Sequence, residues 1–185
     1  MEAKTIAVRL EGARPIMFDR YPGDNKTQLP TQDKMYLDEK QGLVIPALNI
    51  FSMLVAENTK SVCRQFMGKN GKTIGLAIGG NLDIQPFDIP LLGEKNKQIV
   101  WTGNWTKQIH VRNDVARVNK GIPNPKERPV VELPWALEFK AEWIENDDVS
   151  VDLLRQAFEL SRKIGLGTFR PFFGAFRVTR FEVSK

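Results

Sequence analysis

Trp135-Ala136-Leu137-Glu138-Phe139-Lys140-Ala141-Glu142-Trp143 alternates apolar and charged side chains without a break. A two-residue period puts Trp135, Leu137, Phe139, Ala141 and Trp143 on one face. Glu138, Lys140 and Glu142 fall on the other, as in a strand with one buried and one wet face. Just downstream, Asp148 or Ser150 stands where a helix cap is needed. Val151, Leu154, Ala157, Phe158 and Ile164 then recur at helical spacing, and Gly165 is the natural C-terminal stop. A loop rich in glycine and aromatic residues runs from Leu166 to Gly174, and Ala175 to Val183 forms a last strand.

Upstream, Lys4 to Leu10 alternates in the same way, with Ile6, Val8 and Leu10 on the inner face. Glu11-Gly12-Ala13-Arg14-Pro15 ends it. Pro46 opens a helix at a position where proline is tolerated. Its apolar stripe is Leu48, Phe51, Leu54 and Val55, and helix continues through Val62 and Phe66 to Gly68, with a break near Asn58. Thr73 to Gly79 and Leu82 to Phe87 read as short strands separated by Gly79-Gly80-Asn81. Stripped of insertions, the order is β-α-β-β-α-β. It predicts an α+β, ferredoxin-like fold: an antiparallel sheet with the helices on one face. The chain reads as a single domain over residues 1–185 with two insertions. One is a polar loop at about residues 19–41. The other is a protruding basic β-hairpin at about residues 95–128.

A chain of 185 residues with 42% hydrophobic content has the size and composition of one globular domain. No apolar run reaches the length a membrane span needs. Met1-Glu2-Ala3-Lys4-Thr5 lacks the character of a secretory leader, so a cytoplasmic protein is expected. The single cysteine, Cys63, has Val62 and Phe66 near it in sequence and reads as a buried thiol in a reducing compartment. The single histidine, His110, rules out a histidine pair. No phosphate-binding Walker loop, His-Glu-x-x-His or Cys-x-x-Cys is present. Asp19, Asp24 and Asp33 read as solvated loop carboxylates. The expectation is a protein without catalysis, cofactor or metal.

The net charge of +5 is unevenly spread. Lys95, Lys97, Lys107, Arg112, Arg117, Lys120, Lys126 and Arg128 face only Asp114 and Glu127 within one segment, so the remainder of the chain is close to balanced. Trp101, Trp105 and His110 are interleaved with these cations. Cations follow phosphates and rings accept bases, so the pattern suits single-stranded nucleic acid. A solvated hairpin that merely packs its tryptophans is the competing reading.

Ala157-Phe158-Glu159-Leu160-Ser161-Arg162-Lys163-Ile164-Gly165-Leu166-Gly167-Thr168-Phe169-Arg170-Pro171-Phe172-Phe173-Gly174-Ala175-Phe176 takes a helix into a Gly-x-Gly turn, an arginine, another glycine and a strand. This resembles the C-terminal glycine-rich loop of the RAMP superfamily, the ferredoxin-like RNA-binding proteins of CRISPR effector complexes. Gly42-Leu43-Val44-Ile45-Pro46-Ala47-Leu48-Asn49-Ile50 resembles the lead into that superfamily's first helix. The basic hairpin occupies the place of the thumb in the backbone subunits, and small phage or mobile-element proteins share the pattern. The resemblance implies binding of RNA, or of another single strand, with copies side by side along it. From the residues themselves, the turn at Gly165 and Gly167 lets a phosphate backbone approach closely, and Arg170 and Arg177 supply charge. Phe169 and Phe172 serve either as stacking surfaces or as core, and Phe176 as core. The alternative is a structural protein of a phage or mobile element whose basic hairpin grips an acidic protein partner.

Overall fold

A computed structural model of the chain describes residues 3–24, 26–55, 60–117 and 123–184. Strand β1 (Ala3–Gly12) lies at the middle of the main sheet. It pairs antiparallel with β8 (Ala136–Ile144) on one side and with β9 (Phe176–Ser184) on the other. β4 (Leu82–Gln85) pairs antiparallel with β8. The order β9-β1-β8-β4 is that of a ferredoxin-like sheet, as the element order predicts. Register follows the alternation: Ile6 opposes Ala141, Val8 opposes Phe139 and Leu10 opposes Leu137, all buried. Thr5, Ala7 and Arg9 oppose Glu142, Lys140 and Glu138 on the wet face.

The chain bends at Pro86 and continues as β5 (Asp88–Leu92), a strand beyond the one expected over Leu82 to Phe87. β5 pairs with β8 near Leu137 and with β3 (Val44–Pro46) beyond it. A second sheet joins β2 (Ile16–Met17), β7 (Pro123–Val131) and β6 (Ile109–Arg117).

The helical layer contains α1 (Ala47–Val55), α2 (Val62–Phe66), α3 (Gly71–Asn81) and α4 (Val151–Leu160). Ser150 caps α4, its hydroxyl accepting from the Leu153 amide at 3.2 Å. Leu154, Ala157 and Phe158 are fully buried, and Phe158 meets Phe139 and Phe181 of the sheet. Burying a side chain such as Leu154 or Phe158 contributes about 1.5–3 kcal/mol.

Helix α3 corrects the strand expected over Thr73–Gly79. Gly71 and Gly75 recur one helical turn apart and face α2: a Cβ at Gly71 would lie 2.0 Å from the Cys63 carbonyl oxygen. Tertiary packing of a small face overrides the low helix propensity of glycine here. Cys63 is buried, as expected, and burial pushes its thiol up to about 11 from a value near 9.0. With the folded pKa above the unfolded one, this stabilising contribution is whole below about pH 9 and is lost as pH climbs towards about 11. Native Cys63 is therefore expected to resist iodoacetamide at neutral pH. Melting curves of Cys63→Ala should fall less between pH 9 and 11 than those of the parent chain.

The hairpin also differs from its predicted bounds. Its paired strands are β6 and β7, with register from Ile109↔Val131 to Arg117↔Pro123. Residues 97–108 return to the body instead: the Ile99 amide donates to the Leu91 carbonyl at 2.9 Å and the Trp101 amide to the Gln41 carbonyl at 2.8 Å. The loop of residues 19–41 packs onto the hairpin. Asp19 pairs with Arg128, and Thr31 Oγ1 donates to Glu127 Oε2 at 3.1 Å. Among the described residues no helix is long and apolar enough to cross a membrane.

Candidate nucleic-acid interface

The glycine-rich loop is clamped between α4 and β2. The Thr168 amide donates to the Met17 carbonyl at 2.9 Å, and the Gly174 amide to the Pro15 carbonyl at 2.7 Å. The Leu166 amide closes the loop onto the Gly174 carbonyl at 3.0 Å. Gly167 has φ +76°, and a Cβ there would lie 2.3 Å from the Met17 carbonyl oxygen. The close backbone approach made possible by Gly165 and Gly167 is thus to the protein's own backbone. Gly165 is buried with its amide bonded to the Ser161 carbonyl, so it frames the loop and is not part of its open surface.

What the loop presents is its aromatic segment, each ring met by an arginine from another element. Arg128 lies over Phe169 at 4.9 Å, Arg14 over Phe172 at 5.4 Å and Arg112 over Phe173 at 5.4 Å. Phe172 is 67% exposed, Phe169 45% and Phe173 9%, which settles the open question: Phe169 and Phe172 are surface residues. Phe176 is core, as expected. Arg112 and Arg128 are direct cross-strand partners on the hairpin, so their side chains share the face turned to the loop. Arg112 Nε is held by both Asp114 oxygens at 2.8 and 3.0 Å. Arg14, His110, Arg112, Val130, Phe172 and Phe173 line a cleft of about 380 Å³. There His110 Nε2 meets Glu132 Oε1 at 2.8 Å.

On the other side of the loop, Arg170 lines a cleft of about 270 Å³ with Arg20, Tyr36, Asn49, Ser52 and Thr168. Burial around its guanidinium draws the Arg170 pKa below the ordinary value, although the residue as a whole is exposed. Arg14, Arg20 and Arg170 form no ion pair among the described residues. Asn49 and Ser52 went unnoticed in the sequence. The available signal was two polar residues three apart in the otherwise apolar helix α1.

Several expected contacts lie elsewhere. Trp101 is 9% exposed and belongs to the main core, so its ring is not open to a base. Trp105 packs on it with centroids 4.6 Å apart and keeps 41% exposure. Lys107 is exposed in a separate cleft of about 460 Å³, with Lys97, Glu94 and Glu132. Arg177 opposes Glu11 on the wet face of the main sheet, because Phe176 beside it turns inward. Arg117 ends β6 with only its backbone described, and Lys120 lies outside the described residues.

Among solved structures, the chain is similar to one in the cryo-EM structure of the Type III-B Cmr-beta bound to cognate target RNA. Sequence identity is 15% and the TM-score 0.66. The match covers 100% of this chain and 61% of the other. No family model matches the sequence, and no curated protein matches it. At this level of identity the likeness carries the fold alone, an antiparallel ferredoxin-like sheet with its helices packed together, and this chain spans less than two thirds of the other's length.

Proposed function

We propose that this chain is a RAMP-like protein that binds a single strand of RNA or DNA across the glycine-rich loop, without cleaving it. The observation that carries this reading is the placement of Arg14, Arg20 and Arg170, cations with no carboxylate partner among the described residues, beside and within a loop that exposes Phe169 and Phe172. Unpaired arginines at a cleft attract phosphates, and exposed rings accept unstacked bases. The shared fold with a chain whose structure contains target RNA supports the same reading. The absence of cleavage is inferred from the loop carboxylates. Asp19 is held by Arg128 and Lys126. Both Asp24 oxygens are engaged within their own loop, accepting from the Thr27 hydroxyl and from the Thr27 and Lys26 amides. Association with further copies or a protein partner along the strand belongs to the same proposal.

The test is a salt titration with fluorescent poly-U and poly-dT. Each phosphate contact adds roughly −0.7 to the log–log slope for a single strand. Neutralising Arg14, Arg20 and Arg170 together is expected to flatten the slope by about 2. Arg177→Ala, opposite Glu11 on the wet face of the main sheet, should leave it unchanged. No binding by the parent chain at low salt would end the reading and promote an acidic protein as the partner.

A further inference from the structure

Arg128 is a costly residue to place where it sits. It is 4% exposed, its Nη1 is buried without a hydrogen-bond partner, and its direct cross-strand neighbour is another arginine. Like charges directly opposed on two strands repel, and a buried guanidinium loses its hydration. Two contacts offset this. Arg128 Nε donates to Asp19 Oδ2 at 2.8 Å, and the guanidinium lies over the Phe169 ring at 4.9 Å. Phe169 is costly in its own way. Its φ is +53°, a left-handed conformation that bulky side chains avoid. A strained backbone is usually tolerated in exchange for burial, yet this ring is 45% exposed. The fold thus accepts strain and desolvation to hold an aromatic ring partly in the open, with a cation fixed over it.

We propose that Asp19, Arg128 and Phe169 form a cation-backed stacking platform for one unpaired nucleobase, with Arg128 as the positioning residue that keeps the ring in place. The proposal rests on the nucleic-acid reading above and deepens it. It assigns to this point a base, not a phosphate, and hence an unpaired strand, because a base inside a duplex has no free face to offer. Asp19 comes from the long loop, Arg128 from β7 and Phe169 from the glycine-rich loop, so the platform ties both insertions to the body of the fold by contacts each of them supplies. A cation behind the ring draws π density towards itself, which makes the open face a better partner for an electron-rich base.

Binding of a fluorescein-labelled uridylate oligomer and of an abasic oligomer of equal length, in matched salt, separates base from backbone. The parent chain is expected to prefer the uridylate strand by about 10-fold, the scale of one stacked base. Phe169→Gly relieves the left-handed strain but takes the ring off Arg128, so the chain should stay folded with a melting temperature near the parent's, while the preference falls several-fold and the salt slope stays. Phe169→Trp should keep the preference. Arg128→Lys preserves the charge beside Asp19 but cannot lie flat on the ring, and is expected to lower the preference several-fold with the slope unchanged. A Phe169→Gly chain whose preference equals the parent's overturns the platform, and an Arg128→Lys chain indistinguishable from the parent overturns the role of Arg128. Equal binding of both strands by the parent sinks the platform and leaves the nucleic-acid reading standing. Failure to bind either strand at low salt sinks both.

Discussion

Gly174→Ala is expected to cost at least about 3 kcal/mol of stability and to release the whole loop from Gly165 onward. Gly174 has φ +67°, which alone costs an alanine roughly 1–2 kcal/mol. The larger part is steric. A Cβ on Gly174 would lie 1.9 Å from the Leu166 carbonyl oxygen and 3.1 Å from the Leu166 nitrogen. Neither atom can yield, because the Leu166 amide is bonded to the Gly174 carbonyl and the Gly174 amide to the Pro15 carbonyl. Gly103→Ala is the matched control: its φ is +84°, but nothing lies within 4 Å of the added carbon, so only the strain should appear. Urea melts of the two variants measure the difference. Limited proteolysis between residues 165 and 174 then reports whether the loss is local. A Gly174→Ala chain as stable as Gly103→Ala would mean that the loop closes by other contacts.

The ferredoxin-like order was legible because its determinants are local and periodic. Ile6, Val8 and Leu10 alternate, as do Leu137, Phe139, Ala141 and Trp143, and each set meets the other in register. Ser150 and Gly165 mark the ends of a helical stretch by capping chemistry that acts within one turn. Helix α3 was illegible for the opposite reason. Its glycines have poor helix propensity, and what holds it is the close approach of Gly71 and Gly75 to Cys63 in the preceding helix, a packing contact with no periodic signature. Trp101 was misjudged because composition sees an aromatic among lysines. Only the backbone bonds to Leu91 and Gln41 reveal that this stretch lies against the body. At the proposed interface, the sequence reading named a loop whose Phe169, Phe172 and Arg170 the structure leaves exposed. It did not show that Gly165 and Gly167 serve the loop's own closure, nor that Arg128 reaches under Phe169, since both depend on elements distant in sequence.

Trp135→Ala is expected to lower stability by about 3–5 kcal/mol, the range for removing a large buried aromatic. Trp135 is 2% exposed and lies across Gly12, where even a Cβ would come within 2.4 Å of the ring. Its Nε1 donates to the Arg14 carbonyl at 2.7 Å. That bond links the core to the interface. The Arg14 amide donates to the Ala175 carbonyl, so with Trp135 it pins the residue whose guanidinium lies over Phe172. Trp135→Phe separates packing from pinning. It keeps most of the ring's apolar contact and leaves the Arg14 carbonyl without its donor, a loss of about 1–3 kcal/mol if the carbonyl stays dry. The phenylalanine variant should therefore fold and melt at a lower temperature. Its oligonucleotide affinity should fall with a shallower salt dependence, by up to the roughly 0.7 slope unit of one phosphate contact. Lower stability with an unaltered salt slope would place Trp135 in the core alone and show that Arg14 is held by its neighbours in the loop.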